Sequence, residues 1–372
     1  MTRPQALFLL RFEAPRRQNF VSSKEEFDAV LPYFGSEANS ISEDSSMEKV
    51  RVGVIGTGGM AQGHIRRLLE KPEVALTALC DTNPDALART RERHPGLADA
   101  ADFSDYKALL ASGLVDAVQI VTPHTLHYEM ILDSLDAGLH VFSEKPMVCS
   151  AEHAHGVLDK IEKADKVFAL GYQRYYMPEF LYIKEKIASG EMGAVQFVQG
   201  LQGQEWLRAC ANSWRHTQEL GGGGQLNDSG SHMLAILLFI TGLSVEKVVA
   251  FIDNFTVPVD INSAISVKFK GGALGNVSIV GNGPSWYEDI TIWCEKGAFY
   301  MRNGKLEVSD ATGKRTVPTA DELPQGTSPD DNFIAAILGQ EEVGATAQWG
   351  LRVIEWTESA WKSAAEDRIV TA

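Results

Sequence analysis

The chain has 372 residues and a mass of 40.7 kDa, about two to three times the usual domain size, so a single small module is excluded and two domains are expected. Apolar residues make up 44% and charged residues 22%, a globular composition that excludes global disorder. The net charge of -15, with no basic patch to oppose it, argues against nucleic acid or a membrane surface as a partner. The longest unbroken apolar run, Met233 to Ile240, is 8 residues, far short of the roughly 18 that a spanning helix needs. Cys80, Cys149, Cys210 and Cys294 stand singly, which fits neither a disulfide framework nor a zinc site. A reducing cytoplasm is the expected setting.

In chain order, residues 1–46 mix a short apolar patch, Ala6 to Leu10, with arginines and a Ser/Glu-rich stretch ending in SEANSISEDSS. No period is sustained there, so a disordered extension is expected. A secretory signal fits poorly because Arg11 cuts the apolar patch short, and the Arg16-Arg17 pair is followed by SSKEEFDAV rather than an apolar segment. Met47 is an alternative natural start. From Val50 the pattern alternates strand and helix through KVRVGVI, MAQGHIRRLLEK, VALTALC and PDALARTRERH. It continues with DAVQIV, a helix ended by Gly138, LHVFSEKP, a helix from Ser150, and VFALG. Alternation of this kind predicts a doubly wound parallel sheet of Rossmann type over 47–172. After Gln173 the rhythm changes. Segments such as AISVKFKGG and EDITIWCEKGAFYMRNGKLEVSD alternate with period two, and Asn303-Gly304 reads as a two-residue hairpin turn. A carboxyl-terminal α+β domain with an open, mostly antiparallel sheet is therefore expected over 173–330. Helices are expected at Leu226 to Ile240, near 332–339 and at 347–366, the segment 331–372 returning to the first domain.

The stretch VRVGVIGTGGMAQGHI carries Gly56-x-Gly58-x-x-Ala61 between a strand and a helix. A dinucleotide's pyrophosphate needs a tight turn there, which Gly56 permits, and bare backbone amides, which Gly58 exposes. Ala61 is the small residue at the helix–strand contact, and Thr57, Gly59 and Met60 complete the expected cofactor loop. Asp81, at the end of the next apolar strand, is placed to accept hydrogen bonds from an adenosine ribose diol. Its charge would repel a 2'-phosphate, so NAD is favoured over NADP. The plain alternative for Asp81 is a helix cap before Pro84.

Two later strand ends carry TPHTLH, Thr122 to His127, and SEKP, Ser143 to Pro146. Polar residues thus gather at the carboxyl edge of the parallel sheet, where such folds bind ligands. Further on, GGGGQLNDSGSHMLAIL places Asp228 and His232 one helical turn apart. A carboxylate beside an imidazole can fix its tautomer and suit it to general-base work. Singly, Asp228 could be a helix cap, His232 a core histidine and Lys145 a surface lysine.

With these motifs in this order, together with GYQRYYMP after the last parallel strand, the chain from about Lys49 to its end resembles the glucose-fructose oxidoreductase/inositol dehydrogenase (Gfo/Idh/MocA) family. The resemblance implies a catalytic triad of Lys145, Asp228 and His232, NAD(H) or NADP(H) as cofactor, and a sugar, cyclitol or related polyol as substrate. It places Thr122, Pro123, His124, His127, Glu144 and Gln173 near the cofactor. One departure is His124, which stands where relatives commonly carry asparagine.

Trp206, Arg208, Trp214 and Arg215 flank the glycine run and offer the flat faces and forked donors that a carbohydrate site uses. Gln173, Arg174 and Tyr175 should project toward the cofactor cleft from the last parallel strand. Trp286 and Tyr287 read as sheet residues with a core role. His64, His94, His153 and His155 lie on predicted helices among polar neighbours and read as surface residues. No residues have metal-ligand spacing. The expected reaction is reversible oxidation of a secondary alcohol, with either His232 or Lys145 as base and a homodimer or homotetramer formed through the second sheet. A family glycosidase using NAD transiently and a cofactor-sensing regulator without turnover are the alternatives.

Overall fold

In a computed structural model, residues 49–372 are described; the expected disordered extension lies outside them. The first strand, β1 (Val50–Ile55), is buried at five of its six residues because it runs through the middle of a parallel sheet covered on both faces. Around it lie β2 (Val74–Cys80), β3 (Ala101–Phe103), β4 (Ala117–Ile120), β5 (His140–Ser143) and β6 (Phe168–Leu170). All pairings are parallel, in the order β3-β2-β1-β4-β5-β6. The helices between them are α1 (Ala61–Leu69), α2 (Pro84–Arg93), α3 (Tyr106–Leu110), α4 (His127–Asp136) and α5 (Ala151–Ile161). Local signals fix their starts: Asn83 caps α2 by accepting from Asp85 N at 3.0 Å, and Ser150 caps α5 by accepting from His153 N at 3.1 Å. Gly138, at φ 75°, turns the chain after α4, as expected.

Beyond α6 (Pro178–Ala188) the chain builds a second sheet. Its strands are β7 (Val195–Glu205), β8 (Val245–Asp253), β9 (Asn262–Phe269), β10 (Leu274–Val280), β11 (Asn282–Cys294), β12 (Gly297–Arg302), β13 (Lys305–Asp310), β14 (Arg315–Thr316) and β15 (Val370–Thr371). The order is β14-β13-β12-β11-β7-β10-β9-β8-β15, antiparallel throughout except that β10 runs parallel to β7. Asn303 and Gly304 both take positive φ, 45° and 80°, the geometry of the predicted hairpin turn. Two short helices, α7 (Trp206–Ala209) and α8 (Gln218–Gly221), precede α9 (Gly230–Thr241), which is buried along nearly its whole length. The last helices are α10 (Pro329–Ile337) and α11 (Ala347–Glu366). Helix α10 packs on β6 and α1, while α11 touches α5 and β6 on one side and β8 and α9 on the other. No helix among the described residues is long and apolar enough to cross a membrane.

The strand assignments put Trp286 and Tyr287 on β11, where they are exposed and not part of the core. The core instead runs from the parallel sheet through α9 and α11 into the second sheet as one cluster. Trp356 of α11 is 0% exposed and meets the Phe269 ring edge-on at 5.8 Å. Truncating it leaves a cavity between helix and sheet that neither can close. Trp356→Ala should therefore cost roughly 3–5 kcal/mol in a urea titration with an unchanged m-value; a cost under about 1 kcal/mol would show that this contact does not hold the helix.

Candidate active site

At the end of β1 the chain must reverse tightly. Gly56 sits at φ 89°, and a Cβ there would lie 2.5 Å from the Val121 carbonyl oxygen, so only glycine fits. Gly58 and Gly59 have open space on the side where a Cβ would stand and face a cavity of about 870 Å³. That bare backbone at the start of α1 is what a pyrophosphate needs, and the loop fits one. Gly56, Met60, Asp81, Thr122 and Pro123 also wall the cavity. Asp81 is fixed at the end of β2: its carboxylate accepts from Thr57 N at 2.8 Å, Thr57 Oγ1 at 3.0 Å and Asn83 N at 2.9 Å.

Not every expected cofactor residue reaches the wall. Thr57 is buried and serves Asp81; Ala61, 0% exposed, packs α1 onto the sheet. His127 is a staple, with Nδ1 2.8 Å from Pro146 O and Nε2 3.0 Å from Thr122 O. Gln173 is exposed and lies apart from the cavity wall.

The same cavity is walled by His124, Glu144, Lys145, Trp214 and Arg215. Lys145 follows β5, and its Nζ donates to Asp228 Oδ1 at 2.9 Å. The other oxygen, Oδ2, accepts from Trp206 Nε1 and from Arg215 Nε, each at 2.9 Å. His124 Nε2 stands 3.6 Å from Oδ1, while its Nδ1 lies 3.2 Å from Gly221 O. Burial alone would raise the Asp228 carboxyl, but Lys145 and Arg215 hold it well below the usual carboxylate range. Burial pushes the His124 imidazole down to about 3.

Several expectations are corrected by this geometry. The helix expected from Leu226 begins only at Gly230, which leaves Asp228 in the turn before it. The cause is Asp260, whose carboxylate accepts from Gly224 N at 2.9 Å and Leu226 N at 2.6 Å and so anchors the turn that follows the glycine run. Trp361 Nε1 completes that hub at 2.9 Å. Asp228 and His232 consequently form no carboxylate–imidazole pair; no hydrogen bond or ion pair joins them among the described residues. The His232 Nδ1 is buried without a partner, and the ring meets Tyr172 edge-on at 6.0 Å. Burial, aided by Lys145 and Arg174, pushes this imidazole well below its ordinary value.

Trp206 offers no face to the cavity, because its ring is buried and its N–H is spent on Asp228. Arg174 also turns inward, its Nη2 lying 2.5 Å from Glu288 Oε2 of β11; Tyr175 is buried against Phe239, and Arg208 pairs with Glu205 off the cavity wall. Trp214 and Arg215 do reach the wall, with the guanidinium stacked on the indole at 4.3 Å. His64 is no surface residue: it is 2% exposed, between Glu144 and Asp330. Its signal was present, since Ala61, His64, Ile65 and Leu68 share the buried face of α1. Asp260 and Glu288 carry no comparable signal, as their partners come from distant segments.

Two family models match the chain. Residues 50–172 match an oxidoreductase family with an NAD-binding Rossmann fold, and residues 180–300 match the GFO/IDH/MocA carboxyl-terminal domain. D-glucoside 3-dehydrogenase of Escherichia coli is 29% identical over 53% of this chain and 56% of its own, so the chain spans little more than half of that relative. Levoglucosan dehydrogenase of Pseudarthrobacter phenanthrenivorans is 25% identical over 75% of this chain and 83% of its own. A solved structure of levoglucosan dehydrogenase with NADH and levoglucosan superposes with a TM-score of 0.78 at 21% identity, covering 87% of this chain and 99% of that one; at that identity the likeness is one of fold.

The Asp260 hub yields a direct test. Asp260→Ala leaves the Gly224 and Leu226 amides and the Trp361 indole without their acceptor, at about 1–3 kcal/mol for each buried donor that water cannot reach. Stability to urea should fall by at least about 2 kcal/mol, and hydrogen exchange should quicken at Gly224 and Leu226. Unchanged exchange there would remove Asp260 as the anchor of the loop.

Proposed function

Since the chain belongs to the Gfo/Idh/MocA oxidoreductase family, whose amino-terminal domain is an NAD-binding Rossmann fold, we propose that it is an NAD-dependent dehydrogenase acting on a secondary alcohol of a sugar, cyclitol or related polyol. The observation that carries this reading is the Lys145–Asp228 pair at 2.9 Å, with Lys145 on the wall of the cavity that the phosphate loop opens into. Relatives named for glucosides, levoglucosan and inositol support the substrate class.

Nicotinamide supplies the hydride acceptor, and the remaining work falls to side chains. Lys145 holds the alcohol oxygen and stabilises the charge that grows on it as the proton leaves. His232 does not line the cavity wall; kept neutral by burial and with no partner on Nδ1, it is the group to which this reading gives that proton. Asp228, saturated by donors on both oxygens, keeps the lysine in place. Trp214 and Arg215 give the sugar an apolar face and a forked donor. Asp81, fixed by Thr57 and Asn83, selects NAD by accepting from the ribose diol and repelling a 2'-phosphate. Single free cysteines support a cytoplasmic setting, and the exposed Phe251 and Trp293 of the second sheet support a homo-oligomer through that face.

Incubation with NAD and a panel of methyl glucoside, levoglucosan and myo-inositol tests the reading. Net NADH supports a dehydrogenase, sugar release without net NADH supports a glycosidase, and binding alone supports a regulator. Lys145→Ala and His232→Ala should each lose at least about a hundredfold in kcat, with the Kd for NAD within a few-fold of wild type. Asp228→Asn should fall between them. Asp228 favours the charged form of His232, so its loss lowers the imidazole's proton affinity and should move the acid limb of the kcat profile to lower pH. Near-normal turnover in His232→Ala would leave Lys145 as the base; near-normal turnover in both alanine variants would refute the site. Asp81→Ser should weaken NAD and relax the preference against NADP, and a wild type that already favours NADP by kcat/KM would refute that role.

A further inference from the structure

The buried histidine that follows the phosphate loop has no part in the chemistry above and does not reach the cavity wall. Its ring is nevertheless held at both ends. His64 Nδ1 lies 2.7 Å from Asp330 Oδ1, and Nε2 lies 3.0 Å from Glu144 Oε1. A neutral imidazole has one N–H, so its second nitrogen would aim a lone pair at a carboxylate oxygen. An imidazolium donates to both.

The two carboxylates reach further. Asp330, at the start of α10, also accepts from Arg67 Nε at 2.5 Å and Gln119 Nε2 at 2.8 Å. Glu144 spends its second oxygen on the backbone N–H of Lys145, at 3.1 Å. It has little room to turn away, because a Cβ on Gly171 would lie 2.5 Å from its Oε1. The charged groups facing the ring are therefore Glu144 from the end of β5, Asp330 from α10 and Arg67 from its own helix, with Nη2 3.1 Å from Nδ1.

We propose that His64, seated between Glu144 and Asp330, is a positioning residue: by gripping Glu144 it fixes the Lys145 backbone and so aims the lysine at Asp228. The catalytic lysine is thereby registered to the helix that begins at the phosphate loop, so cofactor seat and reacting centre are set by one rigid element. This assignment rests on Lys145 acting as proposed above. Burial would depress the imidazole, but the bonds to Asp330 and Glu144 raise it to about 9. A raised value means that the clamp's contribution to stability is full below pH 6.5 and is lost as pH climbs through about 9.

The test begins with the unaltered protein. In ¹⁵N-histidine spectra with NAD bound, His64 should show both ring nitrogens protonated at neutral pH; a neutral tautomer there overturns the clamp. Resistance to urea should decline between pH 6.5 and 9, and His64→Gln should lack that decline. His64→Gln and Asp330→Asn should each lose about 10- to 100-fold in kcat, the usual effect of removing a partner that orients a working group. KM for whichever panel polyol turns over and the Kd for NAD should stay within about threefold, a split that general loosening would not give. Adding His64→Gln to Lys145→Ala should cost little more than Lys145→Ala alone, because the histidine acts through the lysine. Full kcat in a folded His64→Gln variant, or fully additive losses in the pair, would overturn the proposal. If His64→Gln does not fold, Asp330→Asn and the spectra decide. Retained turnover in Lys145→Ala would defeat the dehydrogenase site instead, and the nitrogen spectra would still report on the clamp.

Discussion

One carboxylate governs the cavity's reacting end. Asp228 is buried, and a buried charge is tolerated only where donors surround it. Here the donors come from three segments: Lys145 after β5, Trp206 of α7 and Arg215 before α8. Each residue that satisfies the charge is in turn located by it. The lysine of the first sheet and the tryptophan and arginine of the excursion from the second are brought to one point because none of them can leave the carboxylate unpaired at small cost.

A second carboxylate makes that arrangement possible from behind. Asp260 sits between β8 and β9 and takes the amides of the glycine run, and Gly224 approaches so closely that a Cβ would lie 1.9 Å from the Asp260 carbonyl oxygen. With the end of the run anchored, Asp228 emerges from a turn and His232 from the first turn of a helix. The two residues are close in sequence, yet they answer to different neighbours.

Much of the fold was legible because its determinants are local. Alternating strand and helix from Val50, the Gly56-x-Gly58 turn, the helix start at Ser150 and the Asn303-Gly304 hairpin each depend on residues within a few positions of one another. Lys145 and Asp228 were legible through the motifs around them, although nothing in either motif announced their mutual contact. The errors arose where a partner is remote in sequence. Arg174 reads as a substrate donor until Glu288 claims it, and Trp206 reads as a sugar platform until its N–H is found on Asp228. His64 was misread for a different reason: polar neighbours outweighed its place on the apolar face of α1, and the two acids that receive it lie 80 and 266 residues away.

The parallel pairing of β7 with β10 inside an otherwise antiparallel sheet has a further bearing. Strands that run the same way cannot be joined by a tight turn, and the chain leaves the sheet after Glu205 and returns to it only at Val245. That detour contains α7, the glycine run, Asp228 and α9, and it also carries Trp214, Arg215 and Leu220, the described residues of the second half that wall the cavity. The ladder of hydrogen bonds on either side does not depend on how the detour is spelled. The outer loop that carries Trp214 can be lengthened or rewritten while the sheet keeps its register, provided that Arg215 keeps its bond to Asp228 and so leaves Lys145 in its seat. One wall of the cavity can thus be altered by editing one excursion, with the phosphate loop and the Lys145–Asp228 pair left as they are.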